Sequence, residues 1–303
     1  MRGEPMNQSP PGWSRRAFLA ATAGLATTTG CVGRSSSNSA VTLLVAGSLQ
    51  NALTTGFEPP ADTRIEVEAH GSARAARMVA DQQRDPDIVA LADPALFTAP
   101  LSVPWYATFA NNAVVLAYNP STPEGKRFES ADTWFAPLLD GGVRLGRTDP
   151  DLDPLGYRTR FALTLAADYY DRPALGNDLL SREQIYPETQ LLAQFDAGSI
   201  DAAFVYRSMA VERGYPSLDL PAAINLSDPE HASSYATTSY TLPDGVVVRG
   251  SPIQYAATQR TKTEAATAVF DALVETATEY LESHGFTVHA EQPTYSGDVP
   301  TTR

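Results

Sequence analysis

The sequence predicts an α/β fold with mostly parallel sheets, divided into two lobes. Apolar runs of strand length alternate with helix-like stretches, which is the pattern of parallel sheets covered by helices. Two strand-like segments far apart in the chain, 105–120 and 251–259, have the form of paired crossovers between lobes. With 303 residues and 43% hydrophobic content, the chain can form two cores. We therefore expect lobe 1 to comprise about 41–111 plus 251–303, and lobe 2 about 112–250.

The first 31 residues are predicted to be an export signal. Ser14-Arg15-Arg16 followed by Ala17-Phe18-Leu19 is typical of a twin-arginine signal, and a mildly apolar run continues to Gly30. This run is shorter than the roughly 20 residues needed to cross a bilayer. Cys31 is the only cysteine and follows small residues, so it is predicted to carry a lipid; the alternative is an incidental thiol in a cleaved peptide. Residues 32–40 are polar and are expected to form a tether.

The charge balance is strongly acidic. The formal net charge is -13 with an isoelectric point near 4.7, and the only lysines are Lys126 and Lys262. Acidic surfaces of this kind are typical of proteins from salt-loving archaea, because they stay soluble in brine where a Debye length of about 3 Å screens self-repulsion. The acidity also argues against a nucleic-acid partner.

The early strands end in a repeated small motif. The predicted strands are Val41 to Ala46, Arg64 to Ala69, Asp87 to Ala92, Ala113 to Tyr118, Val143 to Arg147 and Ala202 to Tyr206. Gly47-Ser48 follows the first, Gly71-Ser72 follows the second, and each serine is expected to cap a helix. A turn with a helix cap explains one such motif. Two of them at the same sheet edge favour an anion site, because helix N-termini there direct N–H groups at the ligand.

Three aspartates, Asp149, Asp151 and Asp153, precede an apolar helix-like run. A helix cap, a calcium loop, a catalytic acid cluster and part of an anion site all fit that arrangement. The calcium loop is excluded because its sixth position is Pro154 instead of Gly and its twelfth is Arg160 instead of Glu. Asp153-Pro154 is a strong helix start, since Asp accepts N–H bonds and Pro suits the first helical position. The predicted buried face comprises Phe161, Leu165 and Tyr169.

Other chemistries find little support. The four histidines are scattered, no G-x-S-x-G motif occurs, and neither common Gly-rich phosphate loop is present. We therefore expect no cofactor, no zinc site and no nucleotide site, and an enzyme remains only a remote alternative. The final helical segment, Glu264 to His284, is predicted to pack in the core of lobe 1.

Six stretches together resemble the archaeal molybdate/tungstate-binding proteins of ABC transporters, the WtpA/ModA group. They are "AGSL" at 46–49, "GSARAAR" at 71–77, "DIVALAD" at 87–93, "DPDLDPLGYR" at 149–158, "FVYRSMA" at 204–210 and "LPAAINLSDPE" at 220–230. The resemblance covers most of the mature chain. It implies a periplasmic-binding-protein-like fold of type II, with the ligand in the cleft between the lobes.

The resemblance also implies the binding residues. The implied ligand-binding residues are Gly47, Ser48, Ser72, Asp153, Pro154, Leu155, Glu188 and Tyr206. In this family an Asp and a Glu coordinate the molybdenum or tungsten itself, and serine and backbone donors hold the oxo groups. Those two roles fall on Asp153 and Glu188. Glu188 is placed by its position at the start of the helix before the Tyr206 strand; alternatively, it is a first-turn acid that complements the helix dipole.

The implied function is transport. We expect an extracytoplasmic monomer, anchored to the membrane through Cys31, that captures molybdate or tungstate for an ABC permease and its ATPase subunit. The alternative is a binding protein for another tetrahedral oxyanion, sulfate or phosphate. The two carboxylates would repel sulfate, whose sulfur does not take additional ligands.

Overall fold

The structure is a computed structural model that describes residues 40–151, 153–180, 183–243, 245, 247–275 and 278–300. The predicted twin-arginine signal, Cys31 and the tether up to residue 39 lie outside the described residues. The side chains of 183, 184, 188, 189 and 279 also lie outside the description. No helix in the described ranges is long and apolar enough to cross a membrane.

The described part of the chain alternates strands and helices. The strands are β1 (Val41–Ala46), β2 (Ile65–His70), β3 (Ile88–Leu91), β4 (Trp105–Asn112), β5 (Val114–Tyr118), β6 (Leu145–Thr148), β7 (Glu183–Tyr186), β8 (Ala202–Tyr206), β9 (Ser217–Asp219), β10 (Ser239–Thr241), β11 (Val247–Arg249), β12 (Ile253–Gln259) and β13 (Thr294–Gly297). The helices are α1 (Ser72–Ala80), α2 (Ala95–Thr98), α3 (Pro123–Lys126), α4 (Ala136–Leu139), α5 (Pro154–Tyr169), α6 (Leu175–Leu180), α7 (Glu188–Asp196), α8 (Arg207–Arg213), α9 (Ala222–Asn225), α10 (Ala232–Tyr235), α11 (Glu264–Glu275) and α12 (Thr278–Ser283).

Two mixed sheets organise these elements. The first has six strands in the order β13-β4-β12-β3-β1-β2, and the second has five in the order β7-β6-β8-β5-β9. Strands β10 and β11 form a separate antiparallel pair. Every strand predicted from the apolar runs is present, with ends that agree to within two residues.

The expectation of mostly parallel sheets is wrong. Parallel pairing joins β1 to β2 and β3, and joins β6 to β7 and β8. The other pairs in the two large sheets, including those of β4, β5 and β12, are antiparallel. The cause lies in the crossover strands: a strand that enters a sheet directly from the other sheet is not constrained to the direction set by the strand-helix-strand units.

The crossover that was predicted as one long strand divides between the sheets. β4 ends at Asn112 in the first sheet and β5 begins at Val114 in the second, so a single residue, Ala113, separates them. The buried Asn112 amide donates to Ser208 Oγ at 2.8 Å and to Tyr255 OH at 3.2 Å. It therefore ties the start of α8, beside the second sheet, to β12 of the first.

The helix predicted after Asp153 is present as α5, and its buried face differs from the prediction at one position. Phe161 and Leu165 are buried as expected, but Tyr169 is 54% exposed because it lies in the last turn. Gly156 lets the first turn approach the preceding loop, since a Cβ there would meet the Asp149 carbonyl carbon at 2.5 Å. The final helical segment is described as α11 and α12, with Phe270 and Leu281 fully buried.

Candidate functional site

A cleft of about 600 Å³ lies beyond the carboxyl ends of β1 and β2. One side is formed by the Gly47-Ser48 turn and by His70, Gly71 and Arg74. The opposite side comes from α7 and α8, and comprises Leu192, Met209, Glu212 and Arg213. Three features expected of a ligand site of an open α/β sheet coincide here: the strand ends, helix N-termini and polar side chains.

Ser48 lies in a short helical turn, Gly47–Leu49, directly after β1. Its hydroxyl shares a 2.8 Å hydrogen bond with Tyr255 OH on β12, and its side chain does not cap the turn. The expected capping role is therefore wrong for Ser48. Because a hydroxyl has both a donor and acceptor capacity, Ser48 can bond to Tyr255 and still bond to an oxo group.

Ser72 is the first residue of α1, and Gly71 takes the cap position. The buried Ser72 hydroxyl instead accepts the Ala92 N–H at 3.0 Å, immediately after β3. The capping prediction is thus wrong for Ser72 also. A sequence pattern identifies which residue begins a helix, but here the hydroxyl is used across the sheet edge, 20 residues away.

Asp153 is the N-cap of α5, as predicted. Its Oδ1 accepts the Leu155 N–H at 2.7 Å, and Pro154 occupies the first helical position. Burial raises the pKa of Asp153 to about 6, against the opposing effects of the Leu155 N–H and the Arg158 charge. Capping alone ordinarily lowers the pKa of a carboxyl. The raised pKa therefore marks a carboxyl group in a poorly hydrated place, which is common at binding sites.

Arg158, one and a half turns along α5, has no role in the sequence-based site, yet it bonds directly to Tyr206, one of the predicted ligands. It is 4% exposed, and its guanidinium donates to Tyr206 OH at 2.7 Å and to the Ala92 carbonyl at 2.9 Å. Burial acts to lower its pKa, but Tyr206, Tyr157 and Asp93 outweigh that effect and the pKa is raised. The sequence did carry a signal: Arg158 lies on the same helical stripe as Phe161 and Leu165, where a charge is unusual.

Tyr206 ends β8 and is buried. Burial raises its pKa well above the usual value, although the Arg158 charge partly opposes this. The phenol is consequently protonated at neutral pH. Since its oxygen accepts a hydrogen bond from Arg158, its own hydrogen remains a donor for another group.

Glu188 begins α7 directly after Pro187, as the sequence predicted, but its side chain lies outside the described part of the chain. Asp149 and Asp151 have structural partners in the loop before α5. Asp149 Oδ1 accepts the Asp151 N–H at 3.0 Å, and Asp151 Oδ1 accepts the Tyr240 hydroxyl at 2.6 Å. These two acids therefore shape and anchor the loop that presents Asp153.

Several predicted residues are joined by one set of contacts. Ser72 bonds to the N–H of Ala92, whose carbonyl accepts from Arg158, which in turn bonds to Tyr206. Asp153 influences the pKa of Tyr206 through its charge. Gly47 and Ser48 line the cleft itself, and Leu155 and Pro154 form the helix start beneath Asp153.

Comparison with known proteins assigns the chain to a family. Residues 41–287 match the family described as bacterial extracellular solute-binding protein. The chain belongs to this family. A Haloferax volcanii relative, named "Putative ABC transporter molybdenum-binding protein", is 72% identical over 95% of this chain and 96% of its own.

More distant members agree with that assignment. The molybdate/tungstate-binding protein WtpA of Thermococcus kodakarensis is 30% identical over 76% of this chain and 77% of its own. The resemblance to the archaeal molybdate/tungstate-binding group is therefore confirmed. The periplasmic molybdate-binding protein of Azotobacter vinelandii shares the fold, with a TM-score of 0.53 and 13% identity over 82% of this chain and 99% of that one. This solute-binding protein accordingly has the two-lobed, type II fold that was predicted.

Proposed function

We propose that this solute-binding protein captures molybdate or tungstate outside the cytoplasm and delivers it to an ABC permease with its ATPase subunit. The names of the relatives support this choice of ligand. The observation that carries it is the placement of Asp153: a half-buried carboxyl group at a helix start, with raised pKa, beside a buried arginine and tyrosine.

A carboxylate in an anion site requires an explanation, because two like charges out of water repel. Coordination removes the difficulty. In the proposed complex, Asp153 and Glu188 bind the molybdenum or tungsten centre, so that each carboxylate meets a metal cation and not an oxo group. Carboxylate oxygen is a suitable ligand for a hard, high-valent metal. The protein itself needs no cofactor in this proposal.

The oxo groups need hydrogen-bond donors, and the proposed site has several. Ser48 and Ser72 contribute hydroxyls, Tyr206 contributes a phenol, and Gly47 contributes its backbone N–H at the start of a helical turn. Leu155 contributes indirectly, because its N–H holds the Asp153 carboxylate. Neutral donors that are already held in place stabilise an anion at little reorganisation cost. Lobe closure would then be favoured by contacts that exist only in the bound state.

The lobes in this proposal are 41–111 plus 251–303 and 112–250. The division is supported by the sheets, since the first draws its strands from 41–112 and 253–297, and the second from 114–219. We further propose a monomer held at the membrane by a lipid on Cys31, after export by the twin-arginine route. Mass spectrometry of the mature N-terminus tests the anchor, and an unmodified residue 31 would contradict it.

Calorimetry with a panel of oxyanions tests the ligand. The mature protein, at high salt, should give a tight one-to-one complex with tungstate and with molybdate. Sulfate and phosphate should bind at least about 100-fold more weakly, because their central atom accepts no further ligand and a carboxylate facing such an anion costs several kcal/mol. Stoichiometric sulfate or phosphate binding would favour the alternative oxyanion function. No heat with any of the four anions would contradict oxyanion binding altogether.

A further inference from the structure

We propose that Arg158 is the positioning residue of the oxyanion site, joining its two walls and aiming the Tyr206 hydroxyl at the ligand. This inference rests on the proposed function and adds to it a residue that the family resemblance did not supply. The geometry carries it: one buried guanidinium bonds to the Ala92 carbonyl at 2.9 Å and to Tyr206 OH at 2.7 Å.

The two partners of Arg158 belong to different sheets. Ala92 follows β3 of the first sheet, and Tyr206 ends β8 of the second. Arg158 itself is on α5, which packs on the second sheet through β5, β6 and β8. The Arg158 to Ala92 bond is therefore a direct hydrogen bond between α5, which packs on the second sheet, and the end of β3 in the first sheet.

The two hydrogen bonds of Arg158 connect it to two predicted ligand-binding residues, to Ser72 through Ala92 and to Tyr206 directly. Ala92 receives Arg158 at its carbonyl and donates its N–H to Ser72 Oγ at 3.0 Å. Tyr206 accepts from Arg158 and so keeps its own hydrogen for donation. Arg158 thus fixes the distance between the peptide that holds Ser72 and the hydroxyl of Tyr206, which are the donors expected to clasp one anion.

The charge of Arg158 also suits the site. The proposed complex places a dianion next to Asp153 and Glu188, which are carboxylates. The charge of the Arg158 guanidinium acts on the Asp153 carboxyl and favours its ionised form, which lowers the pKa of that carboxyl against the effect of burial. A planar guanidinium can hold two acceptors in fixed directions, whereas a lysine ammonium is a point charge on a flexible stem. Arginine at this position therefore supplies both charge and direction.

The test compares two substitutions at Arg158 with a matched one at Arg160. Arg158→Met removes the charge and both bonds while keeping the length of the side chain. Arg158→Lys keeps the positive charge but lacks the planar guanidinium that bonds to Ala92 and Tyr206 at once. Arg160→Met makes the same change two residues along α5, where the guanidinium stacks over the Tyr240 ring at 5.4 Å, away from the Ala92 contact.

Tungstate affinity is measured by calorimetry on the full mature protein, with the folded fraction of each variant determined by circular dichroism. We expect Arg158→Met to weaken tungstate binding roughly 100-fold, Arg158→Lys roughly 10-fold, and Arg160→Met by less than about two-fold, in line with the strength of charge-assisted bonds. Partial rescue by lysine is the outcome that a purely structural role would not produce.

The results separate the two levels of the proposal. If the unaltered protein binds tungstate and the folded fraction of Arg158→Met binds it equally well, Arg158 only supports packing and this inference is wrong, while the proposed function stands. If lysine and methionine weaken binding equally, the charge has no role and the inference is likewise overturned. Should the unaltered protein not bind tungstate or molybdate, the proposed function fails and the inference fails with it. Where Arg158→Met does not fold, Arg158→Gln replaces it in the same comparison.

Discussion

The two walls of the proposed site differ in their chemistry. The wall from the first sheet offers Ser48 and Ser72, neutral hydroxyls held by bonds to Tyr255 and Ala92. The wall from the second sheet offers Asp153, Arg158 and Tyr206, in which two ionisable groups are charged near neutral pH and largely withdrawn from water. Neutral donors suit any tetrahedral oxyanion. The charged wall is therefore where the choice between metal oxyanions and sulfate should be made.

The largest effect is expected at Asp153. Asp153→Asn keeps a side-chain oxygen for the Leu155 N–H but removes the carboxylate that is proposed to bind the metal centre. Tungstate affinity should fall at least about 100-fold, while sulfate binding should stay equal or improve because a repulsive charge is lost. Calorimetry with both anions measures the change in selectivity.

Asp151→Asn is the matched control for that change. Asp151 is exposed in the same loop and accepts a hydrogen bond from Tyr240, so the substitution alters one carboxylate outside the proposed ligand set. Its tungstate affinity should change by less than about three-fold, which is the scale of a surface charge pair. Equal losses at positions 151 and 153 would mean that loop shape, and not coordination, controls binding.

The next effect concerns the stability of the ligand-free protein. Because the pKa of Asp153 is raised from an ordinary value near 3.8 to about 6, the folded state favours the protonated carboxyl. Its contribution to stability is fully present below pH 4 and is lost as pH rises through about 6. Asp153→Asn lacks this loss, so it should be more stable than the unaltered protein at pH 8, by at most about 3 kcal/mol, and not at pH 4.

Urea unfolding at the two pH values measures that difference. Unchanged stability of the variant at both pH values would show that Asp153 serves chiefly as a cap, because Asn fills that role equally well. If the variant is more stable at pH 8 but binds tungstate less tightly, the Asp153 carboxylate serves ligand binding and lowers the free energy of unfolding.

A smaller effect is expected at Tyr206. Tyr206→Phe removes one proposed donor and one acceptor for Arg158, and should weaken tungstate roughly 10-fold, as loss of a bond between a donor and an anion usually does. Tyr240→Phe, which removes a surface phenol bonded to Asp151, is the control and should leave affinity unchanged. If the two phenylalanine variants bind tungstate alike, Tyr206 is not a ligand.

The smallest effect is expected on the neutral wall. Ser48→Ala should weaken tungstate, molybdate and sulfate by a similar factor, roughly three- to ten-fold, because a neutral hydroxyl does not distinguish these anions. Competition titration provides the ratios. A change in the tungstate-to-sulfate ratio at Ser48 would contradict the division of roles between the walls.

The sequence predicted the local features of this site well and the distant contacts poorly. Asp153-Pro154 begins α5 and Glu188 begins α7, since caps and first-turn residues are local signals. The hydroxyls of Ser48 and Ser72 were assigned to local caps, but their partners Tyr255 and Ala92 lie 207 and 20 residues away. Such pairings are determined by sheet order, which depends on packing of the whole chain.

Arg158 illustrates the same limit. The family resemblance indicates which residues are expected to contact a ligand, whereas the two partners of Arg158, Tyr206 and Ala92, lie 48 and 66 residues away in the sequence. The prediction that Tyr169 is buried was wrong for a different reason. Helical spacing places Tyr169 on the same face as Phe161 and Leu165, but it is the last residue of α5 and its side chain is exposed.

The one-residue link at Ala113 has a mechanical consequence. Asn112 and Val114 are each fixed in a different sheet, so no slack chain exists there that could let the halves slide apart. The cleft can change width at this connection only by bending the backbone about a single point. The lobe closure proposed above would therefore have to be a rotation of the backbone near Ala113, since this connection has no spare chain for a sliding movement.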